Sequence, residues 1–148
     1  MRRALRLAEK ARGWTLPNPL VGAVIIKNGE RIGEGFHTAF GKPHAEVEAL
    51  ASCTESPKGA TLFVTLEPCT HHGKTPPCTD AILKSGIAKV VIATLDPSEK
   101  LNGKGVEILK KAGLEVEVGL LNKEAAELNR DFFTFHQKKR PFITLKAA

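Results

Sequence analysis

The sequence predicts an α/β domain of three layers, α/β/α, built on a mixed central sheet. Three observations carry that prediction. Short runs of β-branched and aliphatic residues alternate with helical stretches along the chain. An Asn28-Gly29 dipeptide between two such runs is a two-residue hairpin signal. Gly86 and Gly113 each stand just past a helical stretch, where a left-handed residue commonly ends a helix. The hairpin brings antiparallel pairing and the later β-α-β units bring parallel pairing, so the sheet is mixed and helices cover both faces.

Taken in order, an amphipathic, arginine-rich helix over 2–13 leads through Pro17-Asn18-Pro19 to an apolar run at 21–27. Asn28-Gly29 turns the chain, and 30–37 returns as the partner strand. A helix at 44–53 follows Pro43, a residue suited to a helix start. The run at 61–66 is a strand ending at Glu67-Pro68, and helix 77–85 begins at Pro76-Pro77 and stops at Gly86. Strand 88–94, helix 103–112, strand 115–119 and helix 122–131 complete the alternation. There are no internal repeats, and basic Gln137-Lys138-Lys139-Arg140 is the one low-complexity hint.

Length and composition set the outer bounds. A chain of 148 residues is one domain's worth and at this size removes roughly 70% of its unfolded surface from water. No stretch approaches the ~20 apolar residues of a membrane span, and the first helix lacks the apolar core of a signal peptide. Three cysteines, an odd number, argue against a disulfide framework and for a reducing compartment, so a cytoplasmic protein is expected. Cys53, late in an apolar helical pattern, is expected as a small buried hydrophobe. The net charge of +6 invites a nucleic-acid reading. However, Arg2, Arg3, Arg6, Lys10 and Arg12 share one amphipathic helix, and the remaining basic residues gather late in another helix and near the C-terminus, with few aromatics to stack bases. These are solvated helix faces, and the positive balance suits a single phosphorylated small molecule better than a polynucleotide.

The chemistry sits in His44-Ala45-Glu46, Pro68-Cys69 and Cys78. A lone H-x-E is weak evidence, because a helix opening on Pro-His-Ala-Glu needs no chemistry to explain it. Pro68-Cys69 strengthens it, since ligands collect where the strands of an α/β sheet end. Imidazole and two thiolates suit zinc, without excluding iron or cobalt. Three protein ligands leave the fourth position to a water, whose pKa the metal lowers toward ~7, and Glu46 is then free to move protons. On a regular helix His44 and Glu46 would point about 200° apart. They can share a pocket only by projecting from the first turn toward its end. With Pro43 before His44 and Pro76-Pro77 before Cys78, both helix N-termini are expected to face the metal and to favour thiolate there.

The pattern H-x-E…P-C-x-x-C is the signature of zinc-dependent nucleobase deaminases. Here eight residues, 70–77, stand between Cys69 and Cys78 in place of two. The stretch Pro68-Cys69-Thr70-His71-His72-Gly73-Lys74-Thr75-Pro76-Pro77-Cys78 resembles the PCxHxGKTPPC hallmark of the pyrimidine deaminase of riboflavin biosynthesis. Pro17-Asn18-Pro19-Leu20-Val21-Gly22-Ala23-Val24, His44-Ala45-Glu46-Val47, Thr65-Leu66-Glu67-Pro68-Cys69 and Asp96-Pro97 fall in that family's order, so the resemblance covers essentially the whole chain.

That resemblance implies a cytidine deaminase-like fold with one zinc per chain on His44, Cys69 and Cys78. The implied reaction is hydrolytic deamination of 2,5-diamino-6-ribosylamino-4(3H)-pyrimidinone 5′-phosphate to 5-amino-6-ribosylaminouracil 5′-phosphate and ammonia, with Glu46 as the catalytic proton carrier. It also implies substrate contacts. Asn18, otherwise readable as a turn residue, meets the pyrimidine; His37, His71 and Lys74 line the pocket, with Lys74 on the phosphate. Asp96 contacts ribose or amine, although an aspartate before Pro97 is equally a turn residue. Ser98 would meet the sugar phosphate, but Ser98-Glu99-Lys100-Leu101-Asn102 departs from the family's usual Asn-Pro beginning at this point. His72 is expected to be solvated.

Residues 141–148 resemble the entry into the reductase domain that follows the deaminase in bifunctional members, so the deaminase domain is expected over 1–140. With no G-x-G-x-x-G in the chain, only the deamination half is expected from it, with a fused or separate reductase as partner. A homo-oligomer is suggested by analogy with the fold alone. Two rival readings stand beside this one. One is a deaminase of another base, cytidine or an adenosine in tRNA, whose relatives use the two-residue spacer. The other is a zinc module without turnover, closed by a fourth ligand from His71 or His72.

Overall fold

The computed structural model describes residues 1–73 and 75–146. Its elements run α1 (Arg2–Glu9), β1 (Gly22–Lys27), β2 (Glu30–Phe36), α2 (Ala45–Ala51), β3 (Thr61–Val64), α3 (Cys78–Ser85), β4 (Lys89–Ile92), α4 (Lys104–Lys111), β5 (Glu115–Val118), α5 (Asn122–Leu128) and α6 (Arg130–Lys138). The strands form one sheet in the order β2-β1-β3-β4-β5, with β1 antiparallel to both neighbours and β3, β4 and β5 parallel. The mixed sheet follows from the hairpin. Asn28 and Gly29 take φ of 51° and 83°, the paired positive values that a tight primed turn demands.

Side chains alternate across the sheet as the period of two requires. Ala23, Ile25, Leu62, Val64, Val90 and Ile92 point to one face, where Ala45 and Ala49 of α2, Ile82 of α3 and Leu109 of α4 complete the main core. Val24 packs in a separate cluster with Ala4 and Leu7 of α1, and Ala8 groups with Leu20 and the partly buried Leu128 of α5. Helix α2 lies very close to β2 because the strand offers glycines there. A Cβ on Gly35 would stand 2.5 Å from the Ala49 nitrogen, and one on Gly33 2.5 Å from the Ala49 oxygen.

Three details differ from the sequence reading. Helix α1 ends at Glu9, and residues 10–14 continue as turns. Cys53 is half-buried at the rim of the main core and not inside it, its thiol 3.4 Å from the Ala49 carbonyl. The stretch expected as one helix over 122–131 breaks at Asn129 (φ −112°, ψ 28°), and a further helix, α6, runs on into the basic segment. The break has a visible cause. Asn129 is 1% exposed; its Oδ1 accepts the Leu20 N–H at 2.7 Å and its amide nitrogen donates to the Leu20 carbonyl at 2.9 Å. One side chain thus satisfies both backbone groups of Leu20, as a neighbouring strand would. Residues 141–146 carry no regular secondary structure, and no helix of the described residues is long and apolar enough to cross a membrane.

Replacing Asn129 by leucine keeps the bulk and strands two buried backbone groups. Asn129→Leu should lower stability by about 2–4 kcal/mol, measured as a shifted denaturant midpoint at constant slope. A loss below about 0.5 kcal/mol would show that Leu20 does not depend on this side chain.

Candidate active site

The register of the sheet brings the candidate residues to one edge. Gly22 at the start of β1 pairs with Phe36 at the end of β2, Ala23 pairs with Val64 at the end of β3, and Val64 pairs with Ile92 at the end of β4. The segments carrying Asn18, His37, Cys69 and Asp96 therefore leave the sheet side by side. Loops at the carboxyl ends of parallel strands are where α/β sheets hold ligands.

His44 does not belong to α2. It is the N-cap residue, with extended backbone at φ −77° and ψ 163°, and Glu46 lies in the first helical turn. The difficulty of a two-residue spacing on a helix disappears for that reason. Cys78 is the first residue of α3, with Pro77 as its cap. The His44 Nδ1 stands 3.2 Å from the Cys78 Sγ and 3.4 Å from the Cys69 Sγ, and all three donor atoms lie within 4.8 Å of one another. A tetrahedral zinc with ordinary Zn–N and Zn–S bonds has N···S edges of about 3.5 Å, so the donor set and its spacing fit the metal. Among the described residues the metal-competent group holds these three alone. His71 lines the cavity beside them and His72 is exposed.

Backbone at the start of α3 braces the sulfurs. The Cys78 N–H donates to the Cys69 Sγ at 3.3 Å, and Thr79 donates through both its N–H and its hydroxyl to the Cys69 carbonyl, each at 3.2 Å. A helix N-terminus aimed at a sulfur favours thiolate. Between the two cysteines, hydrogen bonding from Cys78 holds the Cys69 thiol far below the usual range, down to about 4, helped by His44. The same shared proton, with burial, pushes the Cys78 thiol up. Thiolate charge on this pair is what a bound cation would neutralise.

Glu46 is 3% exposed and borders the same cavity. Burial pushes its carboxyl up to about 7, and the Cys69 charge adds to the shift. A carboxyl with affinity for a proton near neutrality suits proton transfer. On the other wall, the His37 Nδ1 faces the Pro43 carbonyl at 3.0 Å and its Nε2 faces the Asn18 amide nitrogen at 3.0 Å. The first contact requires N–H at Nδ1, which leaves Nε2 to accept from Asn18. Burial lowers the His37 pKa, so the ring is held neutral.

These groups open onto a cavity of about 670 Å³ that Asn18, His37, His71, Asp96 and Ser98 also line. Asp96 and Ser98 form a tight turn in which the Ser98 N–H donates to the Asp96 carboxylate at 2.8 Å. Lys74 lies outside the described residues. The sequence reading missed one wall altogether. Phe132, Phe135 and His136 of α6 also line the cavity, with the Phe132 and His136 ring centroids 4.4 Å apart. Lys139, just past the helix, pairs with Glu99 at 2.9 Å, and both residues line the cavity. Aromatics spaced by three and four residues were the available signal.

Zinc content gives a direct check. The purified chain should hold one zinc, and Cys69→Ser and Cys78→Ser should each lower retained zinc at least about tenfold by elemental analysis.

Comparison with known proteins gives a consistent picture. Residues 1–94 match the family model described as the cytidine and deoxycytidylate deaminase zinc-binding region. The riboflavin biosynthesis protein RibD of Aquifex aeolicus is 61% identical over 148 residues, which is all of this chain and 42% of that protein. The diaminohydroxyphosphoribosylamino-pyrimidine deaminase of Buchnera aphidicola subsp. Schizaphis graminum is 50% identical over 133 residues, 90% of each chain. Among solved structures, the diaminohydroxyphosphoribosylaminopyrimidine deaminase/5-amino-6-(5-phosphoribosylamino)uracil reductase of Thermotoga maritima superposes with a TM-score of 0.92 at 54% identity, covering 96% of this chain and 41% of that one. The chain thus spans about two fifths of the length of the RibD relatives it matches. A cytidine deaminase-like sheet, a three-residue zinc-competent group at its edge and these likenesses together place the chain in the cytidine and deoxycytidylate deaminase zinc-binding family, beside the diaminohydroxyphosphoribosylamino-pyrimidine deaminase.

Proposed function

We propose that this chain hydrolyses the amino group of 2,5-diamino-6-ribosylamino-4(3H)-pyrimidinone 5′-phosphate, giving 5-amino-6-ribosylaminouracil 5′-phosphate and ammonia. The observation that carries the proposal is the buried Glu46 carboxyl beside three zinc-competent ligands on a cavity large enough for a nucleotide-sized molecule. The names of the relatives support the choice of substrate. His44, Cys69 and Cys78 hold the zinc, which when bound supplies Lewis acidity that makes a water nucleophilic at neutral pH.

The protein's own groups do the rest. Glu46 takes a proton from the attacking water as its oxygen adds to the ring carbon bearing the exocyclic amine. It delivers that proton to the ring nitrogen, then takes the remaining proton from the adduct's hydroxyl and gives it to the amine as the carbonyl forms, the C–N bond breaks and ammonia leaves. Asn18, whose amide nitrogen is engaged by His37, keeps its carbonyl oxygen to accept from the pyrimidine. His37 thereby acts by orienting Asn18. His71, Asp96 and Ser98 line the same cavity and are assigned to the ribosyl phosphate end, and Lys74 is assigned to the phosphate by resemblance.

The deaminase unit is assigned to residues 1–140 and the segment beyond to the link toward a reductase, fused or separate. Free thiols at 53, 69 and 78 suit a cytoplasmic setting. The closed structural-zinc reading finds no support in the position of His71 or His72.

Glu46→Gln should keep fold and zinc while lowering turnover by about 10²–10⁴. Ammonia release by the zinc-loaded chain should be rapid from the diaminopyrimidinone ribosylamine phosphate and absent from cytidine and tRNA. Release from either of the latter would keep the chemistry and overturn the substrate. An undiminished rate in Glu46→Gln would remove Glu46 from its role.

A further inference from the structure

Two residues before Cys69, the Glu67 side chain is 4% exposed and has no part in the chemistry described above. Its carboxylate is nevertheless fully engaged. Oε2 accepts the Asp96 N–H at 3.1 Å and the Gly103 N–H at 2.9 Å, and Oε1 accepts the Gly105 N–H at 2.8 Å. Those three amides bracket the 96–105 segment, which carries both Asp96 and Ser98. Within it the Ser98 N–H bonds the Asp96 carboxylate, the Leu101 N–H bonds the Ser98 carbonyl at 3.1 Å, and the Lys104 N–H bonds the Leu101 carbonyl at 3.0 Å. The segment is a chain of short turns whose two ends close on one carboxylate.

The same carboxylate caps a helix. Helix α4 has Gly103 as its N-cap residue, which offers no side chain for its first amides. Glu67 supplies the missing acceptor from another part of the chain and puts negative charge at the positive end of the helix. The approach is very close. A Cβ on Gly105 would lie 2.4 Å from the Pro68 carbonyl and 3.2 Å from the Glu67 Oε1. The backbone bearing Cys69 and the backbone bearing Asp96 and Ser98 are therefore joined through Glu67, at a separation only glycine allows.

We propose that Glu67 is a positioning residue: it sets the distance between the metal-binding turn at Cys69 and the substrate-facing turn at Asp96 and Ser98. It borders the cavity, but both its carboxylate oxygens are bonded to the loop's amides, so it acts through the loop. The proposal rests on the reading of Asp96 and Ser98 as substrate contacts. Glutamine at position 67 keeps the shape but can no longer accept from all three amides, since its amide group would set donors against donors.

The test combines amide hydrogen exchange with steady-state deamination on the zinc-loaded chain, for wild type, Glu67→Gln and Asp96→Ala. For Glu67→Gln, exchange at Asp96, Gly103 and Gly105 should accelerate about tenfold or more. The KM for the ribosylamine phosphate should rise about tenfold, with kcat within about twofold and zinc still at one per chain. Unchanged exchange overturns the proposal outright. Faster exchange with unchanged KM, where Asp96→Ala does raise KM, also overturns it and leaves the substrate contacts standing. If neither variant raises KM, the contact reading falls and the positioning role falls with it. Loss of zinc together with kcat would make Glu67 a support of the metal turn and overturn the proposal as stated. Should Glu67→Gln fail to fold, Glu67→Asp keeps the charge with a shorter reach. It should give a smaller change of both quantities in the same direction, and no change in either would count against the proposal.

Discussion

Bringing an imidazole and two sulfurs from positions 44, 69 and 78 within 4.8 Å of one another is the constraint around which this domain is arranged. Each donor lies outside or at the very start of a regular element: a helix cap, the loop that follows β3, and the first residue of a helix. Such junctions have spare N–H groups, and one of them is spent on the Cys69 sulfur. The depth of His44 is set in turn by how closely α2 lies on β2, which the bare backbone of Gly33 and Gly35 permits. The site is thus held by packing on one side and by amide-to-sulfur and hydroxyl-to-carbonyl bonds on the other.

Around that centre the cavity is built from loops, and two buried polar side chains do for those loops what strand pairing does for the sheet. Asn129 satisfies Leu20, beside the Asn18 turn. Glu67 satisfies three amides beyond β4. Buried polar groups are costly unless fully bonded, and a bonded one fixes its partners in a single arrangement. By contrast the third wall, α6, has no buried residue and reaches the Glu99 loop through an exposed ion pair, a contact worth little in water. The cavity combines two sides held by buried polar bonds with one held by half-buried aromatics and a surface ion pair.

Local chemistry was readable from the residues. Asn28-Gly29 announced its turn, Gly86 its helix end (φ 75°), and the His-Glu-Cys-Cys set its meeting point, because each depends on neighbours in sequence or on a known ligand preference. What escaped depends on distance. The partners of Glu67 lie 29 to 38 residues away and are backbone amides, which no residue pattern advertises. Asn129 looks like an ordinary helical position until its 109-residue link to Leu20 is known. Helix α6 escaped because its aromatic face at 132, 135 and 136 is at most half-buried and borders the cavity, which leaves a weaker periodic signal than a helix packed on the core. The angular problem between His44 and Glu46 came from assuming a helix one residue too early.

The position of Glu67 divides the chain in an instructive way. The match to the general deaminase family ends at residue 94, after every zinc-competent ligand and Glu46 but before Asp96, Gly103, Gly105 and Asn129. The zinc-competent group and Glu46 therefore occupy one contiguous segment, and the part of the cavity lining that runs from Asp96 to Lys139 lies in the next. Glu67 stands in the first segment with its hydrogen bonds in the second, and Asn129 does the reverse. A recombination that grafted a foreign second segment onto this catalytic half would keep the metal group while leaving a buried carboxylate and the Leu20 backbone unmatched, so the two halves are constrained to change together.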